Sequence, residues 1–154
     1  MFRRRKDVHE RNGEKYEKCY IESYDGKEVF AIREHGIDLG VTHKSEDLFN
    51  AVKDLFGEFV NAKVCSGTEG KMEYDNVLKA KRVFEDEDRY LVLIDDAGNQ
   101  LHLTGCSCGY AGTGPHGTHK ILNELGFDID LRYIISVDTF NLYLPSHYRN
   151  AYGI

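Results

Sequence analysis

Gly105-Cys106-Ser107-Cys108-Gly109-Tyr110-Ala111-Gly112-Thr113-Gly114-Pro115-His116-Gly117 leads straight into a segment with helical character, residues 118–125. Five of these thirteen residues are glycine, and what stands on either side of them decides the fold. A glycine-rich loop that opens a helix brings bare backbone N–H groups close to a neighbour, either a ligand or another part of the chain. Pro115 suits the first helical turn, where the N–H it lacks would have had no partner. Thr113 or Gly114 can serve as the cap, so the helix is expected over 113–125, and Gly126 stands where a left-handed residue commonly ends one.

Upstream, strands are expected over 76–84, 90–94 and 100–103. They are separated by Glu85-Asp86-Glu87-Asp88 and by Asp95-Asp96-Ala97-Gly98-Asn99. Connections this short imply an antiparallel meander. The acidic run lacks the alternating ligands and the glycine of a calcium loop and reads as a solvated turn. Nearer the start, 16–23 and 27–33 form a hairpin about Asp25-Gly26, and 63–65 is a short strand. Between them Leu48, Phe49, Val52, Leu55, Phe56 and Phe59 make one apolar stripe at helical spacing. Ser45 is placed to cap that helix, with Glu46 and Asp47 in its first turn, so a helix is expected over 45–60. Downstream, 131–137 reads as a strand, and 140–144 as another stopped by Pro145. The sum is an α+β fold, a mostly antiparallel sheet of five to seven strands with two helices packed on it.

Within the loop, Gly112 to Gly117 matches G-x-G-x-x-G and resembles the G-x-G-P-x-G form of flavin- and nicotinamide-binding Rossmann proteins. The resemblance covers under a third of the chain. It implies a pyrophosphate at the helix start and, at the end of strand 131–137, Asp138 as the residue that holds a ribose. Two features depart from that pattern. Residues 105–111 separate the preceding strand from the first glycine of the motif, and too little chain follows Gly117 to complete the usual alternating sheet.

What carries over is more general: a helix start suited to an anion. The N–H groups of His116, Gly117 and Thr118 are expected to point outwards there. Tyr110, Gly112, Thr113, Gly114, His119 and Lys120 complete the expected binding set, with the imidazoles and ammonium as donors and Tyr110 as an aromatic face. The ligand class is a phosphorylated small molecule, a nucleotide or nucleotide-derived signal, which the protein senses or sequesters without turning it over. A phage-encoded sponge for a defence signal is one such role. Two other classes use the same residues differently. In a protein-interaction or inhibitor module the glycine loop is purely structural. In a zinc- or thiol-dependent enzyme, Cys106, Cys108, His116 and His119 hold zinc, with His102 as a substitute ligand, or a cysteine is the nucleophile with a histidine as base. His35, His43 and His147 carry no paired signal and read as surface residues.

The chain's 154 residues fit a single domain over 1–154, with 1–14 a flexible basic arm. A formal charge of −6 disfavours general binding to nucleic acid. No secretory signal or membrane span is legible, so a cytoplasmic protein with its four cysteines reduced is expected. The tail, 146–154, can dock on the body or on a second copy, which leaves a homo-oligomer open.

Overall fold

Alternation of apolar residues along the central strands builds the molecule, because successive side chains of a strand leave opposite faces. The computed structural model describes residues 3–22, 27–64 and 89–145. Their strands are β1 (Arg3–Arg11), β2 (Glu14–Glu22), β3 (Glu28–Glu34), β4 (Phe59–Val64), β5 (Leu91–Asp95), β6 (Gln100–Leu103) and β7 (Phe140–Tyr143). They form one sheet in the order β1-β2-β3-β6-β5-β4-β7. Every neighbouring pair is antiparallel except β3 with β6. The helices are α1 (Thr42–Val52), α2 (Thr113–Glu124) and α3 (Leu131–Ser136).

Ile32, Ala62, Val64, Leu91, Leu93, Leu101 and Leu103 form one buried cluster with Leu48, Phe49 and Val52 of α1, Ile121 and Leu122 of α2, and Ile134 of α3. Each large side chain buried here contributes about 1.5–3 kcal/mol. The alternate residues Tyr90, Val92 and Ile94 make a separate buried cluster. On that second side a buried polar chain joins β6 to the residue just before β5. Tyr90 Oη lies 2.8 Å from His102 Nδ1, and His102 Nε2 lies 2.7 Å from Gln100 Oε1. The amide oxygen can only accept, so Nε2 carries the proton and Nδ1 accepts from the tyrosine. Burial, then the charge of Arg33, pulls the imidazole down to about 3.

Several sequence expectations hold. The hairpin of β2 and β3, the antiparallel pair of β5 and β6, and the α2 span are present, and Gly126 has φ +93°. Others are corrected. Residues 131–136 are helix α3, not a strand, because the Asp130 carboxylate caps them by accepting from the Arg132 N–H at 2.8 Å. The strand that would have ended at Asp138 in a Rossmann domain is therefore absent. The stripe from Leu48 to Phe59 is not one helix. α1 ends at Val52, the 3-10 turn Lys53–Leu55 follows, and Phe59 opens β4. Gly57 N–H donates to Asp95 at 2.9 Å and fixes the reversal, so Phe59 still packs on Phe56 and Phe49.

The basic start is strand β1 from Arg3 to Arg11, paired with β2 from Arg3↔Glu22 to Arg11↔Glu14, and not a loose arm over that span. Opposite charges face each other at Asp7↔Lys18 and Glu10↔Lys15. Asn12 and Gly13, both at positive φ, make the connecting turn. The expected strand over 76–84, the acidic run 85–88, Cys65, the Asp25-Gly26 turn and the tail with His147 lie outside the described residues.

His102 gives a direct check on the second face. The unfolded chain protonates this group near 6.5 while the fold resists to about 3. Between those values the unfolded state holds the extra proton, so the native state loses about 1.4 kcal/mol per pH unit as pH falls. Imidazole NMR is expected to show His102 as the neutral Nε2–H tautomer from pH 7 down to pH 5. Protonation near 6.5 would contradict the buried chain.

Candidate functional site

A buried carboxylate brings the candidate site together. Glu34, at the end of β3, accepts from Ser45 Oγ of α1, from the Thr104 N–H at 3.2 Å and from Thr104 Oγ1 at 2.8 Å. Ser45 Oγ in turn accepts from the Gly105 N–H at 2.8 Å, and Thr42 Oγ1 donates to the Gly105 carbonyl at 2.7 Å. Gly40 N–H donates to Thr104 Oγ1. The first two turns of α1 are thus tied to the beginning of the glycine loop. Burial raises the Glu34 carboxyl above its ordinary range despite the hydrogen bonds that oppose it.

The glycines make the contact possible. A Cβ on Gly105 would overlap the carbonyl carbon and oxygen of Val41 and the nitrogen of Thr42. One on Gly117 would stand 2.7 Å from Thr42 Cγ2 and 3.3 Å from Glu46 Oε1. With hydrogen at those positions, the starts of α1 and α2 approach until Thr42 Oγ1 is 3.5 Å from Thr113 Oγ1. The loop is locked onto α2 by Thr118 Oγ1, which donates to the Ser107 carbonyl at 2.7 Å.

Between the two helix starts runs a groove of about 780 Å³. Thr42, His43 and Glu46 line it from α1, and Thr113, His116, Gly117, His119 and Lys120 from α2. Val41 and Gly112, the two N-cap residues, provide no side-chain cap, and neither first turn carries an acid. The N–H groups of Thr42, His43, Thr113 and Gly114 have no partner within their helices. His116 Nδ1 stands 2.7 Å from the Gly112 carbonyl and donates to it, which orients the ring and leaves Nε2 as its other polar atom. Lys120 Nζ lies 3.5 Å from Glu46 Oε2.

Of the expected binding residues, Thr113, His116, Gly117, His119 and Lys120 line this groove, whereas Tyr110, Gly112, Gly114 and Thr118 do not. Tyr110, 53% exposed, lies over the loop: its ring blocks a side chain at Gly112, and Ser107 Oγ together with the Tyr110 hydroxyl blocks one at Gly114. Ser107 Oγ donates to that hydroxyl at 3.0 Å. The outward donors differ from those expected as well. α2 begins at Thr113, so the His116 N–H is already taken by the Gly112 carbonyl. Thr42, His43 and Glu46 join the site from α1 although no sequence motif marks them as ligand residues. The N-cap of α1 is Val41, four residues before Ser45, which is buried inside the helix and serves Glu34.

The cysteine and metal expectations gain no support from the arrangement. Among the described residues, no group of three or more His, Cys, Asp or Glu side chains is placed to share an ion. Cys106 and Cys108 are in the core, His116 is exposed, and His102 belongs to the second face. Burial, reinforced by Glu34 and Glu46, pushes the Cys106 thiol far up, and burial pushes Cys108 up to about 11. Both are held as thiols, opposite to what a nucleophile needs.

No protein-family model matches the chain, and no curated protein or solved structure matches it either. Among the described residues, no helix is long and apolar enough to cross a membrane.

Two outcomes test this construction. Gly105→Ala is expected to lower stability by about 1–3 kcal/mol in urea unfolding, as overpacking against fixed backbone does; an unchanged midpoint would deny the close approach. Glu34 is the second. Because its folded carboxyl titrates higher than the unfolded one, the native state holds the extra proton in that window, and this group's contribution falls as pH rises through it. The stability of the wild type relative to Glu34→Gln is therefore expected to decline as pH rises above about 4.5. The opposite slope would contradict the burial effect.

Proposed function

We propose that the groove between the starts of α1 and α2 binds a phosphorylated small molecule, a nucleotide or a nucleotide-derived signal, and that the protein acts by capturing it. The observation that carries this reading is the meeting of two helix starts, neither capped by a side chain, on one groove. Each offers free N–H donors and the positive end of a helix dipole, worth about 0.3–1 kcal/mol per terminus toward an anion at an exposed site. His116, His119 and Lys120 add side-chain donors on the same lining. A volume of about 780 Å³ falls within the ordinary range of small-molecule sites, roughly 300–1,000 Å³. Sensing and sequestration are the roles such capture serves, and a phage-encoded sponge for a defence signal is one instance.

The glycine loop supports capture from behind. Gly105, Gly112, Gly114 and Gly117 meet Val41, Thr42, Ser107 and Tyr110, so their lack of a side chain shapes the groove.

Orthophosphate and adenosine 5′-monophosphate, tested by calorimetry and thermal unfolding, are expected to bind. At a hundredfold excess over Kd, a ligand of the native state adds about 2.7 kcal/mol of stability. Lys120→Ala and His116→Ala are each expected to weaken binding several-fold without lowering the unfolding temperature of the free protein. Absence of binding by both probes at millimolar concentration would overturn the reading.

A further inference from the structure

Glu46 is out of place in a groove that takes only a phosphate. Its side chain is 26% exposed and lines the groove one turn along α1 from Thr42, where a carboxylate repels an anion. Lys120 stands in the equivalent relation to His116, four residues on along α2, and the two second-turn residues meet at 3.5 Å. Along α1 the groove therefore has two levels, at Thr42 and at Glu46, about 6 Å of helix rise apart. The first holds the helix starts, Thr42, Thr113 and His116. The second holds a carboxylate whose two oxygens can only accept hydrogen bonds. Gly117 leaves room for this carboxylate, since a Cβ there would press on its Oε1 at 3.3 Å.

A ligand that places its phosphate at the first level must offer donors to the second. In a 5′-nucleotide, the group one sugar ring away from the phosphate is the 2′,3′-diol, two adjacent O–H donors matched to the two carboxylate oxygens. The base edge lies further off. We infer that Glu46 is the sugar-reading residue of the groove: it accepts from both hydroxyls of a ribose, with Lys120 released from Glu46 to the phosphate. The ligand class is thereby a ribonucleotide. This inference rests on the phosphate-binding reading of the same groove.

Calorimetry with orthophosphate, adenosine 5′-monophosphate and its 2′,3′-dideoxy analogue, and the matching guanosine pair, tests it. The wild type is expected to bind each ribonucleotide about ten- to a hundredfold more tightly than its dideoxy analogue, the range for hydrogen bonds to a charged acceptor. In Glu46→Ala that preference is expected to collapse, while orthophosphate binds more tightly because a negative charge has left the groove. Orthophosphate binding also reports that the variant is folded, and the wild-type comparison stands without it. Equal binding of ribose and dideoxy forms, with orthophosphate still bound, overturns this inference alone. A preference for guanosine over adenosine that ignores the sugar also overturns it, assigning Glu46 to a base edge. Failure of orthophosphate and every nucleotide overturns the groove reading with it.

Discussion

The buried carboxylate of Glu34 holds β3, α1 and the start of the glycine loop together. A carboxylate out of water is costly unless its oxygens are given donors, and here three donors come from two separate pieces of chain: Ser45 of α1, and the backbone and side chain of Thr104 just beyond β6. Ser45 then receives the Gly105 N–H, which closes the circuit between β3, α1 and the glycine loop. Satisfying one buried group thus fixes where α1 begins and where the loop turns. Removing the carboxylate would leave the buried Ser45 hydroxyl and the half-buried Thr104 N–H without their acceptor, so the cost of losing it exceeds that of a single exposed hydrogen bond.

The second half of the construction is steric. With α1 pinned, Gly105 and Gly117 let the loop and α2 settle against Val41 and Thr42 at distances that a side chain forbids. This joins the two readings of a glycine-rich loop that sequence presents as rivals. Its glycines serve packing, and the packing sets two uncapped helix starts on one groove. The groove takes its electrostatic character from the ends of α1 and α2, its donors from His116, His119 and Lys120, and its one discordant group from Glu46. Cys106 and Cys108 lie buried in the core, and neither lines the groove.

Much of the fold was legible where local and tertiary signals agree. β6 begins and ends where the alternation places it, and α2 spans the segment that Pro115 and Gly126 bracket. The failures have physical causes. Residues 131–136 are rich in tyrosine and isoleucine, which favour strands, and a single cap from Asp130 turns them into a helix. Phe59 keeps helical spacing with Phe49 and Phe56 although a turn at Gly57 separates them, since the core requires proximity and not one continuous helix. Asn12-Gly13 is a recognised hairpin signal and would have placed β1. Half of the groove was visible beforehand because α2 carries a motif. The half from α1 was not, because Val41 is no cap by residue type and only the tertiary contact with Gly105 brings Thr42, His43 and Glu46 to the site.

An orthophosphate titration of the ¹⁵N-labelled chain followed by NMR tests whether the two helix starts form one anion site. The amide signals of Thr42 and His43 on one helix and of Thr113 on the other are expected to move together and saturate on a single binding curve, while those of His102 and Gln100 stay still. Shifts confined to one helix, different curves for the two, or no saturable shift at either would contradict it.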